Sequence, residues 1–78
     1  MRTRDDLKAF IASTLKLPSV DDDSAMGSVR GWDSLRHIEL IMALQAELGI
    51  SIPPDRIGEL ASVAALAAFL VEEGQLEG

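Results

Sequence analysis

Seventy-eight residues with a formal charge of −6 and no cysteine make one small acidic domain, with room for a single core but hardly for an enclosed catalytic cleft as well. No disulfide or thiolate metal site can add stability, so burial must suffice. With 47 % hydrophobic residues, the only aromatics being two Phe and one Trp, the chain should fold around an aliphatic core. A pI of about 4.5 argues against nucleic acid, which needs a basic face, and no segment approaches the roughly 18 apolar residues of a membrane span.

The start, Met1 to Asp6, contains no apolar leader-like run, which sets the expectation of a cytoplasmic protein; the initial Met and a helix cap of its own favour a discrete one, and a monomer is expected. Thr3 ahead of Arg4-Asp5-Asp6 is a capping-box-like beginning with acid in the first turn. Leu7, Phe10, Ile11, Thr14 and Leu15 then fall at helical spacing on one stripe, and Pro18 should end this helix near Lys16. The connection from Leu17 to Trp32 is long, and such connections are usually functional or disordered. Met26 and Val29 are candidates to pin it to the core, and Asp23 or Ser24 to cap a short turn. Asp21-Asp22-Asp23 reads as a solvated loop, because it lacks a calcium loop's alternating ligands and closing glutamate; no metal site is expected.

The second helix is the clearest element. Asp33 is its N-cap, apolar residues run from Leu35 to Leu48, and Gly49 suits the C′ position. Ile50 to Pro54 should be extended, with a short helix over about Asp55–Leu60. Ser62 should cap a last helix from Val63 to about Glu73 with Val63, Leu66, Phe69 and Leu70 as its stripe. Gly74 closes it and the tail should fray. The expected fold is all-α: a small four-helix bundle of three main helices and one short one, in a single domain over 1–78, with a long loop between the first two.

At roughly 100° per residue, Leu40, Ile41, Leu44 and Leu48 cluster on one side of the second helix, while Leu35, Ile38 and Met42 form a second apolar group displaced around it. A helix in so small a domain needs one core-facing stripe. The second is either core, if helices pack on two sides, or a docking patch, for which methionine is well suited. Ser34 projects near the edge of that second group. A nucleophilic serine needs a base, an orienting acid and an oxyanion hole. The only histidine, His37, sits three residues on along the same helix and falls towards the core side, so a structural, hydrogen-bonded role fits it better than catalysis. No catalytic residue is assigned. A helix N-terminus does favour phosphate, and an exposed serine at the first helical position is a suitable acceptor for a phosphodiester.

Trp32-Asp33-Ser34-Leu35, then Ile38 to Leu44, then Gly49-Ile50-Ser51-Ile52-Pro53, closely resembles the acyl carrier protein family, and the later LASVAALAAFL resembles that family's entry into its last helix. The resemblance implies that Ser34 receives 4'-phosphopantetheine from coenzyme A through a separate phosphopantetheinyl transferase that typically uses magnesium. The arm ends in the thiol this chain lacks, and acyl or aminoacyl groups ride on it as thioesters. It further implies that Asp33, Leu35, Ile38, Glu39 and Met42 recognise partner enzymes. By the same carry-over, Leu40, Leu44, Ile52, Ile57 and Leu60 line the interior, where some carriers shelter an acyl chain.

The sequence departs from fatty-acid carriers, whose second helix is strongly acidic: here Arg36 and His37 follow Ser34-Leu35, and Gln45-Ala46 stand where acids are frequent. Nor does Gly31-Trp32-Asp33-Ser34 match the Gly-Gly-x-Ser core of peptidyl carriers. The Trp-Asp-Ser-Leu form is similar to free-standing carriers of specialised pathways, polyketide assembly among them. Such carriers work with acyltransferase, adenylating or ketosynthase-type enzymes. A carrier for fatty-acid synthesis and an unmodified helical interaction domain are the alternatives.

Overall fold

The computed structural model describes residues 1–77; Gly78, the last residue of the expected domain, lies outside them. Three α-helices carry the fold: α1 (Arg4–Leu15), α2 (Ser34–Leu48) and α3 (Val63–Glu72). Each starts on a side-chain cap that satisfies N–H groups the helix itself cannot. At α1 the capping box is complete: Thr3 Oγ1 accepts from the Asp6 N–H at 3.1 Å, and Asp6 Oδ2 accepts from the N–H groups of Arg2 and Thr3 at 3.0 and 3.1 Å. Those N–H groups, Arg2 first, hold the Asp6 carboxyl below its ordinary value of 3.8. The box therefore contributes stability above that value and loses it as pH falls through the lower, folded one.

The core is aliphatic, as expected. Leu7, Ile11 and Leu15 of α1 meet Leu40, Ile41 and Leu44 of α2 and Val63, Leu66 and Leu70 of α3, with Trp32 and Phe69 among them. The long connection is ordered by its own backbone. The Ser24 carbonyl accepts from Val63 N–H at 3.0 Å and Met26 N–H donates to Ala61 at 2.9 Å, so Ala25 and Ser62 form a single antiparallel bridge at the start of α3. Ser24 is buried, its hydroxyl accepting from Asp21 N–H and donating to the Asp21 carboxylate. Met26 and Val29 pack against the core. Asp21, Asp22 and Asp23 are exposed, as a solvated run should be.

Two expectations need correction. The short helix over Asp55–Leu60 is a 3₁₀ turn, Pro54–Arg56, running into turns through Leu60, so three helices and a turn replace the four-helix bundle. Arg56 and Ile57 donate three residues back, to Pro53 and Pro54. Ser62 is extended (φ −156°, ψ 161°) to cap α3 and pair with Ala25, and this leaves the segment too short to propagate an α-helical ladder. The tail does not fray as far as Glu77. Gly74 takes φ 74°, which lets Gln75 N–H return to the Leu70 carbonyl at 2.8 Å; Leu76 is then buried and Glu77 N–H donates to Arg2 at 2.8 Å. Among the described residues no helix is long and apolar enough to cross a membrane.

The end of α1 carries local strain. Lys16 sits at φ 59°, in the left-handed conformation that glycine adopts freely, while Leu17 N–H bonds the Ala12 carbonyl at 2.8 Å. Lys16→Gly should raise stability by about 0.5–1 kcal/mol, the relief of the side-chain clash exceeding glycine's entropy cost. Thermal unfolding should show a higher Tm; a lower one would mean that Lys16 is not strained.

Candidate functional site at the start of α2

Asp33 begins α2 by accepting the Arg36 N–H on Oδ1 at 2.9 Å, and its carbonyl takes the His37 N–H at 2.8 Å. Ser34 is the first helical residue and is exposed. Among the described residues nothing hydrogen-bonds its Oγ, and the N–H groups of Ser34 and Leu35 have no acceptor.

Just inside this turn lies a contact that periodicity does not show. Trp32 and His37, on either side of the exposed cap, are both buried, at 1 % and 2 % exposure. They occupy N′ and N4, the positions of a hydrophobic staple, with ring centroids 6.0 Å apart. The indole N–H donates to His37 Nδ1 at 3.1 Å. Since an indole can only donate, Nδ1 is the unprotonated nitrogen and Nε2 carries the hydrogen. Nε2–H then donates to the Ile57 carbonyl at 2.9 Å. Both ring nitrogens of the only histidine are thus engaged away from Ser34, so no Ser–His pair forms here. This is the structural histidine expected. Gly31, before Trp32, has φ 95°, and a Cβ there would meet Leu17 Cδ2 at 3.1 Å.

The two apolar groups of α2 separate as the second of the two readings requires. Leu40, Ile41 and Leu44 are buried and Leu48 is half-buried, whereas Leu35, Ile38 and Met42 are 68 %, 48 % and 64 % exposed. Asp33 and Glu39 are exposed alongside them, and Arg36 Nε lies 4.0 Å from Glu39. Of the residues assigned to the interior, Leu40, Leu44, Ile52 and Leu60 are buried, while Ile57 is half-buried at the core's edge, its carbonyl on His37. Gln45 has a role the pattern did not show: Oε1 accepts the Ile52 N–H at 2.8 Å, fastening the extended segment after Gly49 back onto α2. Among the described residues no three of His, Asp and Glu converge as a metal site would need.

What the start of α2 presents is an exposed hydroxyl at the first helical position. Comparison with known proteins gives the family. Residues 5–70 match the family described as "Phosphopantetheine attachment site". The chain is 31 % identical over 71 residues to an acyl carrier protein of Streptomyces coelicolor, covering 87 % of this chain and 77 % of that one. It is 34 % identical over 68 residues to an acyl carrier protein of a Sulfurovum species, covering 85 % of this chain and 91 % of the relative. The alternative of an unmodified interaction domain falls with that match. The chain belongs to the acyl carrier protein family: it is a carrier, not an enzyme, and its cofactor is covalently attached 4'-phosphopantetheine.

Proposed function

We propose that Ser34 is the attachment point, and that this single-domain, monomeric, cytoplasmic carrier serves a specialised biosynthetic pathway, polyketide-like or related. The observation that carries the site is the contrast at the start of α2: Asp33 and His37 are committed to hydrogen bonds, and Ser34 Oγ is exposed and uncommitted. The hydroxyl would form its ester to phosphorus as the pyrophosphate link of coenzyme A breaks, its proton passing to the transferase and the bisphosphorylated adenosine leaving. The free N–H groups of the first turn favour the resulting phosphodiester. The attached group supplies the thiol on which acyl or aminoacyl cargo rides as a thioester, and its reach raises the cargo's local concentration at each partner.

Docking falls to Leu35, Ile38 and Met42, flanked by Asp33 and Glu39. A small apolar patch with few charges suits transferases, acyltransferases, adenylating enzymes or ketosynthases that must bind and release the carrier in turn. The specialised pathway is supported by what stands in place of acids on this helix: Arg36 offsets Glu39, and Gln45 is turned to the backbone of Ile52.

Intact-protein mass spectrometry after incubation with coenzyme A, magnesium and a broad-specificity transferase should show the gain of one phosphopantetheine for the parent chain and none for Ser34→Ala. A gain that survives Ser34→Ala overturns the assignment. Met42→Glu should stay within about 0.5 kcal/mol of the parent in thermal unfolding, yet raise the KM with a partner enzyme about tenfold, some 1.4 kcal/mol of lost contact. A large drop in Tm would place Met42 in the core instead. For the pathway, sequencing of the adjoining genes should reveal a ketosynthase or an adenylating enzyme; a fatty-acid operon would contradict this part of the reading.

A further inference from the structure

Three segments meet on one side chain. His37 lies in the first turns of α2, its Nδ1 bonded to the last residue of the long connection, Trp32, and its Nε2 to the turn at Ile57. Ser34 Oγ has no bond of its own, so its position is inherited from its neighbours. Trp32 is held at three points: its N–H on the Val29 carbonyl at 3.1 Å, its carbonyl from Gly27 N–H at 2.9 Å, and its indole on His37. Asp33 is held at its carboxylate by Arg36 and at its carbonyl by the His37 amide. The His37 side chain therefore holds Trp32 and ties it to the turn at Ile57, while its backbone amide holds Asp33. A phenylalanine there would fill space but leave the indole N–H of buried Trp32 without its acceptor, a costly condition that the chain relieves by moving it towards water, while the half-buried Ile57 carbonyl would keep only the longer bond from Leu60 N–H at 3.3 Å. Residues 32–34 would move with the indole.

We propose that His37 is a positioning residue for the chemistry at Ser34, acting through Trp32 and the N-cap. The proposal rests on Ser34 being the attachment point. It gives the buried histidine a part in presenting the hydroxyl to a modifying enzyme, beyond its part in holding the fold.

The test compares the full chain with His37→Phe, His37→Gln and Trp32→Phe. Phosphopantetheine addition from coenzyme A by one transferase is followed by intact mass, with residue-resolved amide exchange on the same samples. His37→Phe should lower kcat/KM about tenfold, a range that small displacements of a reacting group produce. Exchange should quicken at Arg36 and His37, whose N–H groups bond Asp33, while Leu66 to Leu70 of α3 stay protected. His37→Gln, which keeps one acceptor and one donor side by side, should recover most of the lost rate. Trp32→Phe keeps the ring, removes the donor, and should fall in the same direction, which leaves the proposal testable even if His37→Phe does not fold. Folded His37→Phe or Trp32→Phe modified at the parent rate would overturn it, as would a rate that falls only in step with the folded fraction. If the parent itself gains no phosphopantetheine, the premise about Ser34 falls, and this proposal with it.

Discussion

A buried indole must find an acceptor for its one N–H, and in this chain the requirement organises the domain. Trp32 meets it on His37, which passes its own hydrogen to Ile57. The relay joins the end of a long connection, the first turns of α2 and the turn before α3, adding side-chain bonds to the backbone bridge between Ala25 and Ser62. Hydrogen bonds in a low-dielectric interior are strong when made and costly when missing, so the contact selects one arrangement over its neighbours. The outward result is a helix start at the surface, with Ser34 at its first position.

The rest of α2 divides its work by face. A fully buried Leu or Ile contributes about 1.5–3 kcal/mol relative to an exposed one, and Leu40, Ile41 and Leu44 supply that on the inner side. Leu35 and Met42, each well over half exposed, gain little from folding. In the function proposed above, that exposed apolar surface is the docking patch. On the same helix Arg36 faces Glu39, and the neutral amide of Gln45 is spent on Ile52.

What could be read directly from the residues was local. Asp33 as a cap, Gly49 in the left-handed position (φ 65°) and the displacement of Leu35, Ile38 and Met42 from Leu40 and Leu44 depend on spacing within one helix. The misreadings depend on distant partners. The chain leaves the turn at Pro54–Arg56 to meet Ala25 through Ser62, and the tail is held by the burial of Leu76 and the bond from Glu77 to Arg2. Neither is visible within a window of a few residues. Trp32 and His37 are intermediate: the N′–N4 spacing of a staple was present in the sequence, but its hydrogen bonds and the third partner, Ile57, required the fold.

The central claim concerns one hydroxyl, and cleavage at Arg30 and Arg36 isolates it: the tryptic peptide Gly31–Arg36 contains Ser34 and no other hydroxyl side chain. Tandem mass spectrometry of the modified chain should place the whole of the phosphopantetheine on that peptide. Finding it on a peptide that carries any other serine would contradict the account.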